Sequence, residues 1–370
     1  MITEALNILI LSRPSLFTVR GGDTIQVTKT TEALKQLGVN AVIRLCDEKE
    51  IHYKDFDLIH FFNIRHPADM LWHIRKSGLP YVVSTIYVDY SNPAFRENGP
   101  IKDRILNMFG RDSQEYLKTI GKSIVNGEKI VSTDYLWRGH RRSVKWILSN
   151  ASMLLPNSVS EYRRLILSYG IEKKFAVVPN GADPKLFNCS GDAILKKHRN
   201  MVLCVARFEP LKNQLNLIRA LNDTSYDLYL VGDIAPNHRS YFDTCKKMAA
   251  ANIHFIPSLS QRALVDFYRR AAVHVLPSWF ETTGLSSLEA AFCGCNIVVT
   301  KNGDTQDYFD PAHSFYCEPG SVDSIRNAVE DAANSRSNNV YIEKLKQEYN
   351  WENAAQKTLE AYRQVLPVNV

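Results

Sequence analysis

The run LPSWFETTGLSSLEAAFCGCNIVVT, residues 276–300, decides the fold. Just before it, Ala272-Val-His-Val-Leu276 is a short, mostly apolar stretch that suits a buried parallel strand. Pro277 and Ser278 end that strand, and a polar loop follows. From Gly284 the spacing predicts a helix, with Leu285, Leu288 and Phe292 at i, i+3 and i+7. Gly294 closes it, and 296–300 reads as the next buried strand. Two carboxylates sit in this β-loop-α-β unit: Glu281 in the loop and Glu289 in the second turn of the helix.

Glu289 falls beside the apolar stripe, where an unpaired carboxylate is expensive, so a partner is expected. A vicinal diol such as ribose would satisfy both oxygens. The N–H groups of Thr283, Gly284 and Leu285 open the helix and form a natural anion site. Glu281, just outside, could then hold whatever hangs from that anion. The same residues also read as a helix-start acid and a half-exposed helical Glu, and the spacing alone does not choose.

The stretch resembles the E-x7-E motif of retaining GT-B glycosyltransferases, family four in particular. That family's loop EGFGLxxLEA appears here as Glu281-Thr-Thr-Gly-Leu-Ser-Ser-Leu-Glu-Ala290. The resemblance implies that Glu281 contacts the donor sugar and that Glu289 binds the nucleotide ribose. Arg207-Phe-Glu-Pro-Leu-Lys212 follows a strand and puts two cations where open α/β sheets bind ligands. Read alone, it is equally a solvated basic loop. It is similar to the family's R-x4-K pair, with Ala206 and Asn213 replacing the usual glycines, and the resemblance makes it a pyrophosphate clamp.

Outward from these motifs, the chain is long for one core at 370 residues, which favours two domains. Strands alternate with helices on both sides of a turn-rich segment, Pro179-Asn-Gly-Ala-Asp-Pro184. Strands are expected at 7–11, 41–45, 57–62, 81–86, 152–156 and 176–178, then at 201–206, 228–231, 254–256, 273–276 and 296–300. The expected fold class is therefore α/β with two Rossmann-like, doubly wound domains. The resemblance adds the GT-B arrangement, in which these face each other across a cleft. The expected boundaries are 1–187 for an acceptor domain and 188–350 for a nucleotide-sugar domain. The helix at 351–370 then crosses back to the first domain.

Several glycines and one tyrosine complete the expected donor site. Gly21-Gly22 follows the first strand, where the resemblance implies close backbone approach to a phosphate or acceptor; an ordinary turn reads equally well. Gly232, after the strand ending at Val231, has the same implied use beside the nucleotide. Tyr87 stands where the family carries a His, and a Tyr donates a hydrogen bond but is no protonated partner for phosphate. His60 and His66 are the nearby substitutes, His60 reading also as a core histidine.

The implied reaction is transfer with retention from a nucleotide sugar, UDP-linked by family habit, to a glycan or lipid-linked acceptor in polysaccharide or glycolipid synthesis. A front-face displacement, in which the departing phosphate deprotonates the acceptor, needs no protein nucleophile. No Ser-His-Asp pattern or G-x-S-x-G occurs to suggest otherwise. Asp55-Phe-Asp57 is the only D-x-D and reads as a loop-to-strand boundary, so no metal and no resident cofactor is expected. A competing reading is a catalytically weak or inactive sugar-nucleotide-binding protein of the same fold.

Charge separates the halves. Residues 1–187 hold 26 Lys+Arg against 19 Asp+Glu, while the whole chain holds 45 against 39, so the excess lies in the first half. Within 102–145, basic residues alternate with apolar and aromatic ones such as Trp137, Arg141, Arg142 and, just beyond, Trp146. That pattern fits peripheral contact with an anionic membrane; it also fits plain packing with solvated charges. No nucleic-acid motif accompanies it. No apolar run approaches the ~20 residues of a membrane span, and MITEALNILIL reads as a first strand rather than a signal peptide. The seven cysteines lack zinc spacing and read as reduced packing residues of a cytoplasmic protein.

Overall fold

The computed structural model describes residues 5–48, 50–88, 116, 132–188 and 197–366, and its contacts divide the chain into two compact units. In the first unit β1 (Asn7–Ser12), β2 (Asn40–Leu45), β3 (Leu58–Phe62), β4 (Tyr81–Ser84) and β5 (Met153–Leu154) form one parallel sheet in the order β2-β1-β3-β4-β5. Its helices are α1 (Gly22–Gln36), α2 (Pro67–Ser77), α3 (Thr133–Asn150) and α4 (Val159–Tyr169). The all-apolar burial of Leu58, Ile59, Phe61, Val82 and Val83 explains the order, because only central parallel strands are covered on both faces. The strand expected at 176–178 is reduced to a single bridge between Leu154 and Phe175.

The second unit carries a six-stranded parallel sheet in the order β11-β10-β9-β6-β7-β8. These strands are β6 (His198–Val205), β7 (Asp227–Val231), β8 (Ile253–Ile256), β9 (Ala271–Leu276), β10 (Asn296–Thr300) and β11 (Phe315–Cys317). Between and after them run α5 (Gln214–Leu221), α6 (Arg239–Met248), α7 (Gln261–Arg270), α8 (Leu285–Phe292), α9 (Thr305–Tyr308), α10 (Val322–Asn334) and α11 (Asn339–Glu348). The short β11 lies at the sheet edge, where three residues leave little pattern.

The division falls between Pro179 and Asn180, eight residues before the boundary read from sequence at 187/188. The reason is local. Asn180 N–H donates to the Tyr308 hydroxyl at 3.1 Å, Ala182 N–H to the Tyr349 carbonyl at 2.9 Å, and Phe187 is buried in the core of the second unit. The final helix, α12 (Trp351–Val365), groups with the first unit. Its Tyr362 hydroxyl meets His60 Nδ1 at 2.7 Å, and Ser84 Oγ meets His60 Nε2 at 2.8 Å. Burial pushes the His60 imidazole down to about 3, so it is a neutral core histidine and no substitute for a charged partner. Cys46, Cys204, Cys245, Cys293, Cys295 and Cys317 are all buried and unbridged.

Candidate functional site

In the second unit every strand is parallel, so β6, β7, β9 and β10 present their carboxyl ends along one edge. Arg207, Lys212, Gly232 and Glu281 lie in the loops leaving those ends. After β6, Pro210–Lys212 forms a single 3-10 turn, and Asn213 follows it with a left-handed φ of 59°. The Asn213 carboxamide donates to the carbonyls of Pro277 and Pro319, at 3.0 and 2.8 Å. That buried side chain fixes the turn to two neighbouring loops, and Lys212 projects from it.

Lys212 and Glu281 meet. Nζ lies 2.6 Å from Glu281 Oε2, with the side chains only 19% and 10% exposed. Ser278 Oγ donates to the same oxygen at 3.1 Å. Burial is the largest influence on the Lys212 ammonium and pulls its pKa down, but Glu281 and Glu209 together hold it above the ordinary lysine value. Arg207 is near enough to oppose that effect and pairs loosely with Glu209, at 3.5 Å. Lys212 is thus held in its charged form and placed beside a second cation.

Glu281 owes its position to a residue that sequence reading missed. Its N–H donates to Asn302 O at 3.1 Å and its carbonyl accepts from Asp304 N–H at 2.8 Å, so the loop after β10 grips it as a short parallel bridge. Gly303 sits at the centre with φ of +105°, and a Cβ there would lie 2.0 Å from Glu281 O. Gly303→Ala is therefore expected to cost about 1–3 kcal/mol of stability through strain at this φ. If Glu281 contacts a UDP-linked donor sugar, as the resemblance implies, the change should also lower turnover by about tenfold or more by moving Glu281, with UDP affinity changed by less than about threefold. Thermal melts, steady-state kinetics and a UDP titration of one preparation check this. An unaltered turnover would mean that Glu281 is held by other means.

Glu289 has the partner that its position demanded. Tyr268 OH donates to Oε2 at 3.0 Å and Gln261 Nε2 to Oε1 at 3.3 Å, both from α7, and the residue is 8% exposed. Neither partner is a cation. Burial raises the Glu289 carboxyl to about 7, against the opposing pull of the two hydrogen bonds. Tyr268 and Gln261 carried no sequence signal, because a polar residue on an amphipathic helix looks like any other.

The remaining expected residues fall as follows. Thr283 and Gly284 precede α8, Thr283 being 1% exposed, and Leu285 is its first residue. Gly232 follows β7, where a Cβ would lie 2.1 Å from the Ala206 carbonyl oxygen. The neighbouring strand end therefore demands this glycine, whatever else approaches it. Gly22 opens α1 in the first unit, after a loop that Arg13 organises by pairing with Asp23 at 2.7 Å. Tyr87, also in the first unit, donates its N–H to Glu161 at 2.8 Å and its hydroxyl to Ser168 at 2.9 Å. Fully buried Glu161, unnoticed in sequence, also binds Thr85 and the Asn157 N–H.

Asp57 accepts the Asn7 N–H at 2.8 Å, and no three His, Cys, Asp or Glu side chains converge among the described residues. A groove of about 830 Å³ lies at the opposite, amino ends of β6 and β7, lined by Arg199, Tyr229, Phe267 and Arg270 among others. None of the catalytic and donor-binding candidates named above borders it. The carboxyl edge, where opposite charges converge, is the better candidate.

The chain resembles known proteins in sequence and in fold. Residues 191–358 match the family described as glycosyl transferases group 1. The chain is 28% identical over 178 residues to the D-inositol 3-phosphate glycosyltransferase of Acidothermus cellulolyticus, covering 42% of this chain and 40% of that one. It is likewise 28% identical over 245 residues to the Kribbella flavida protein of the same name, covering 59% and 57%. The chain thus spans about half the length of the curated relatives it matches. Sucrose-phosphate synthase from Thermosynechococcus elongatus superposes with a TM-score of 0.72 at 18% identity, covering 97% of this chain and 99% of that one. HepE of Anabaena, solved in complex with UDP and glucose, gives 0.69 at 14% identity, covering 96% and 99%. Both likenesses are of fold, and the fold is GT-B.

Proposed function

We propose that this GT-B chain, whose residues 191–358 match glycosyl transferases group 1, transfers a sugar with retention from a nucleotide-sugar donor, UDP-linked, to a glycan or lipid-linked acceptor. The observation that carries the reading is the Lys212–Glu281 pair, set beside the first turn of α8 at the carboxyl edge of the sheet. That turn offers N–H groups without intrahelical acceptors, and a diphosphate satisfies them. Lys212 and Arg207 neutralise the charge that grows on the leaving phosphate. Glu281 accepts hydroxyl groups of the sugar. Ionised Glu289 accepts both hydroxyls of the ribose. Among the solved neighbours, HepE was crystallised with UDP and with UDP-glucose, which supports the choice of donor.

The test is a panel of nucleotide sugars, read by thermal shift and by released nucleoside diphosphate. A donor at 100 times its Kd raises stability by about 2.7 kcal/mol, so UDP-sugars should shift the melt and release UDP when acceptor is present. A panel in which no nucleotide stabilises the chain overturns the reading. With the two cations taking the part that a divalent ion plays elsewhere, transfer is expected to persist in EDTA. A strict requirement for added manganese contradicts this.

We place the acceptor side at an anionic membrane surface. Of the basic segment, 102–115 and 117–131 lie outside the described residues, while 133–145 belong to α3. There Tyr135, Val144, Ile147 and Leu148 pack inward, but Trp137 is 88% exposed and Leu136 41%. Leu167 on the neighbouring α4 is 84% exposed, and Arg141 reaches across to the Ser168 carbonyl and the Tyr169 ring. Exposed Trp and Leu among arginines fit an interfacial surface better than a solvated one. No helix among the described residues is long and apolar enough to cross a membrane. Sedimentation with anionic vesicles should fall with salt and with Arg141→Glu/Arg142→Glu. Protein left in the supernatant at low salt points to a soluble acceptor.

A further inference from the structure

We propose that Tyr268 is a positioning residue for nucleotide binding, its hydroxyl anchoring Glu289 in the carboxylate form that receives the ribose; this rests on the nucleotide-sugar reading above. The contact joins two helices: Tyr268 OH on α7 donates to Glu289 Oε2 on α8 at 3.0 Å. Tyr268 is fully buried, and its ring lies edge-on to Phe187 and His274, with centroids 6.0 and 5.9 Å away. Its carbonyl accepts from Cys295 Sγ at 3.0 Å and from Lys197 Nζ at 3.3 Å. Gln261, the other partner of Glu289, is half-buried and reaches Oε1 only at 3.3 Å. The shorter and better fixed contact is the tyrosine's.

A hydrogen bond to the ionised form of an acid favours ionisation, and burial opposes it. Burial, followed by the charge of Glu289, pushes the Tyr268 hydroxyl well above its ordinary value, so it stays protonated and donates. A carboxylate has about four lone-pair sites, so Tyr268 and Gln261 together leave two for a ribose diol. Among the described residues no cation pairs with Glu289, and the elements packed against α8 supply none. On α7, Arg262, Asp266 and Arg270 are exposed, and Arg269 binds Asn188. On β9, buried His274 is neutral, its pKa pushed down to about 3, with Nδ1 3.3 Å from Ser287 Oγ. β10 carries no titratable side chain, and Cys293 and Cys295 beside it are buried thiols. On α11, Lys346 pairs with Glu343 at 2.8 Å, the Tyr341 hydroxyl accepts the Asp310 N–H, and Lys344 and Glu348 are exposed. The ionisation of Glu289 thus depends on neutral donors, and Tyr268 is the stronger of the two.

Tyr268→Phe keeps the ring and removes only the hydroxyl. The ratio of UDP affinity to that of its 2′,3′-dideoxy analogue, followed against pH, isolates the ribose contact, because titration of the shared diphosphate and base cancels. The Glu289 carboxyl is followed separately by infrared difference, the parent against Glu289→Gln and Tyr268→Phe against the double variant. Losing a hydrogen bond to the carboxylate should move the carboxyl midpoint up by about one pH unit. At pH 7 the preference for UDP should then fall about fivefold, and at pH 9 it should return to within about twofold of the parent's. An unmoved infrared midpoint in Tyr268→Phe overturns the proposal. So does a preference reduced equally at every pH, which marks a purely structural role. A parent with no preference for UDP at any pH sinks the ribose reading, while the infrared midpoint still decides whether Tyr268 keeps Glu289 ionised.

Discussion

Lys212→Ala should lower turnover about a hundredfold or more, and Arg207→Ala by a similar factor, because the clamp we propose acts on charge that grows at the leaving phosphate. The Lys212 effect has two sources. The ammonium itself is lost, and Glu281, 2.6 Å away and 10% exposed in its side chain, is left without its cation. An ionised carboxylate in that position is free to swing toward Ser278, its other partner at 3.1 Å. The loss should appear in kcat more than in KM, since the charge is greatest in the transition state. Steady-state kinetics of both variants against one acceptor measure it. Undiminished turnover in both removes the clamp.

Replacing Glu289 with glutamine should weaken nucleotide binding at least tenfold and yet leave the unliganded protein as stable as its parent, or more so. A buried carboxyl raised from 4.5 to about 7 binds its proton more tightly folded than unfolded. Its contribution to stability is full below pH 4.5 and is lost as pH rises through about 7, a difference of about 3 kcal/mol. The carboxamide of Glu289→Gln does not ionise and escapes that loss, so the variant's melting temperature relative to the parent should rise between pH 5 and 8. Nucleotide affinity of the parent runs the other way. It should increase as pH passes upward through about 7, because only the carboxylate accepts both ribose hydroxyls, and the pH dependence should vanish in Glu289→Gln. Glu289→Ala shares the binding defect without the gain in stability. A lower melting temperature for Glu289→Gln at pH 8, with unaltered UDP affinity, would make Glu289 an ordinary structural acid.

Much of the second unit was legible in the sequence because its strands are buried on both faces and its key loops are short. Residues 276–300 gave strand, loop, helix and strand at nearly the observed limits. The need of Glu289 for a partner followed from its place beside the apolar stripe. What could not be read was contact across the chain. Tyr268 and Gln261 lie on another helix, Gly303 grips Glu281 from a loop 22 residues away, and Asn180 reaches Thr283 over 103. The direct pairing of Lys212 with Glu281 was equally hidden, since spacing placed both at one edge but assigned them separate duties. In the first unit, Tyr87 stood out as a departure from the family pattern, but its anchors Glu161 and Ser168 lie more than 70 residues on and gave no local sign.

Whether the second unit holds a nucleotide by its ribose and its diphosphate is read by calorimetric titration. UDP and its 2′,3′-dideoxy analogue are compared on the parent and on Glu289→Ala at pH 8. UDP should bind the parent at least about tenfold more tightly than the analogue, and Glu289→Ala should bind the two alike. Equal affinity of the parent for both ligands, or an undiminished preference for UDP in Glu289→Ala, would contradict the account.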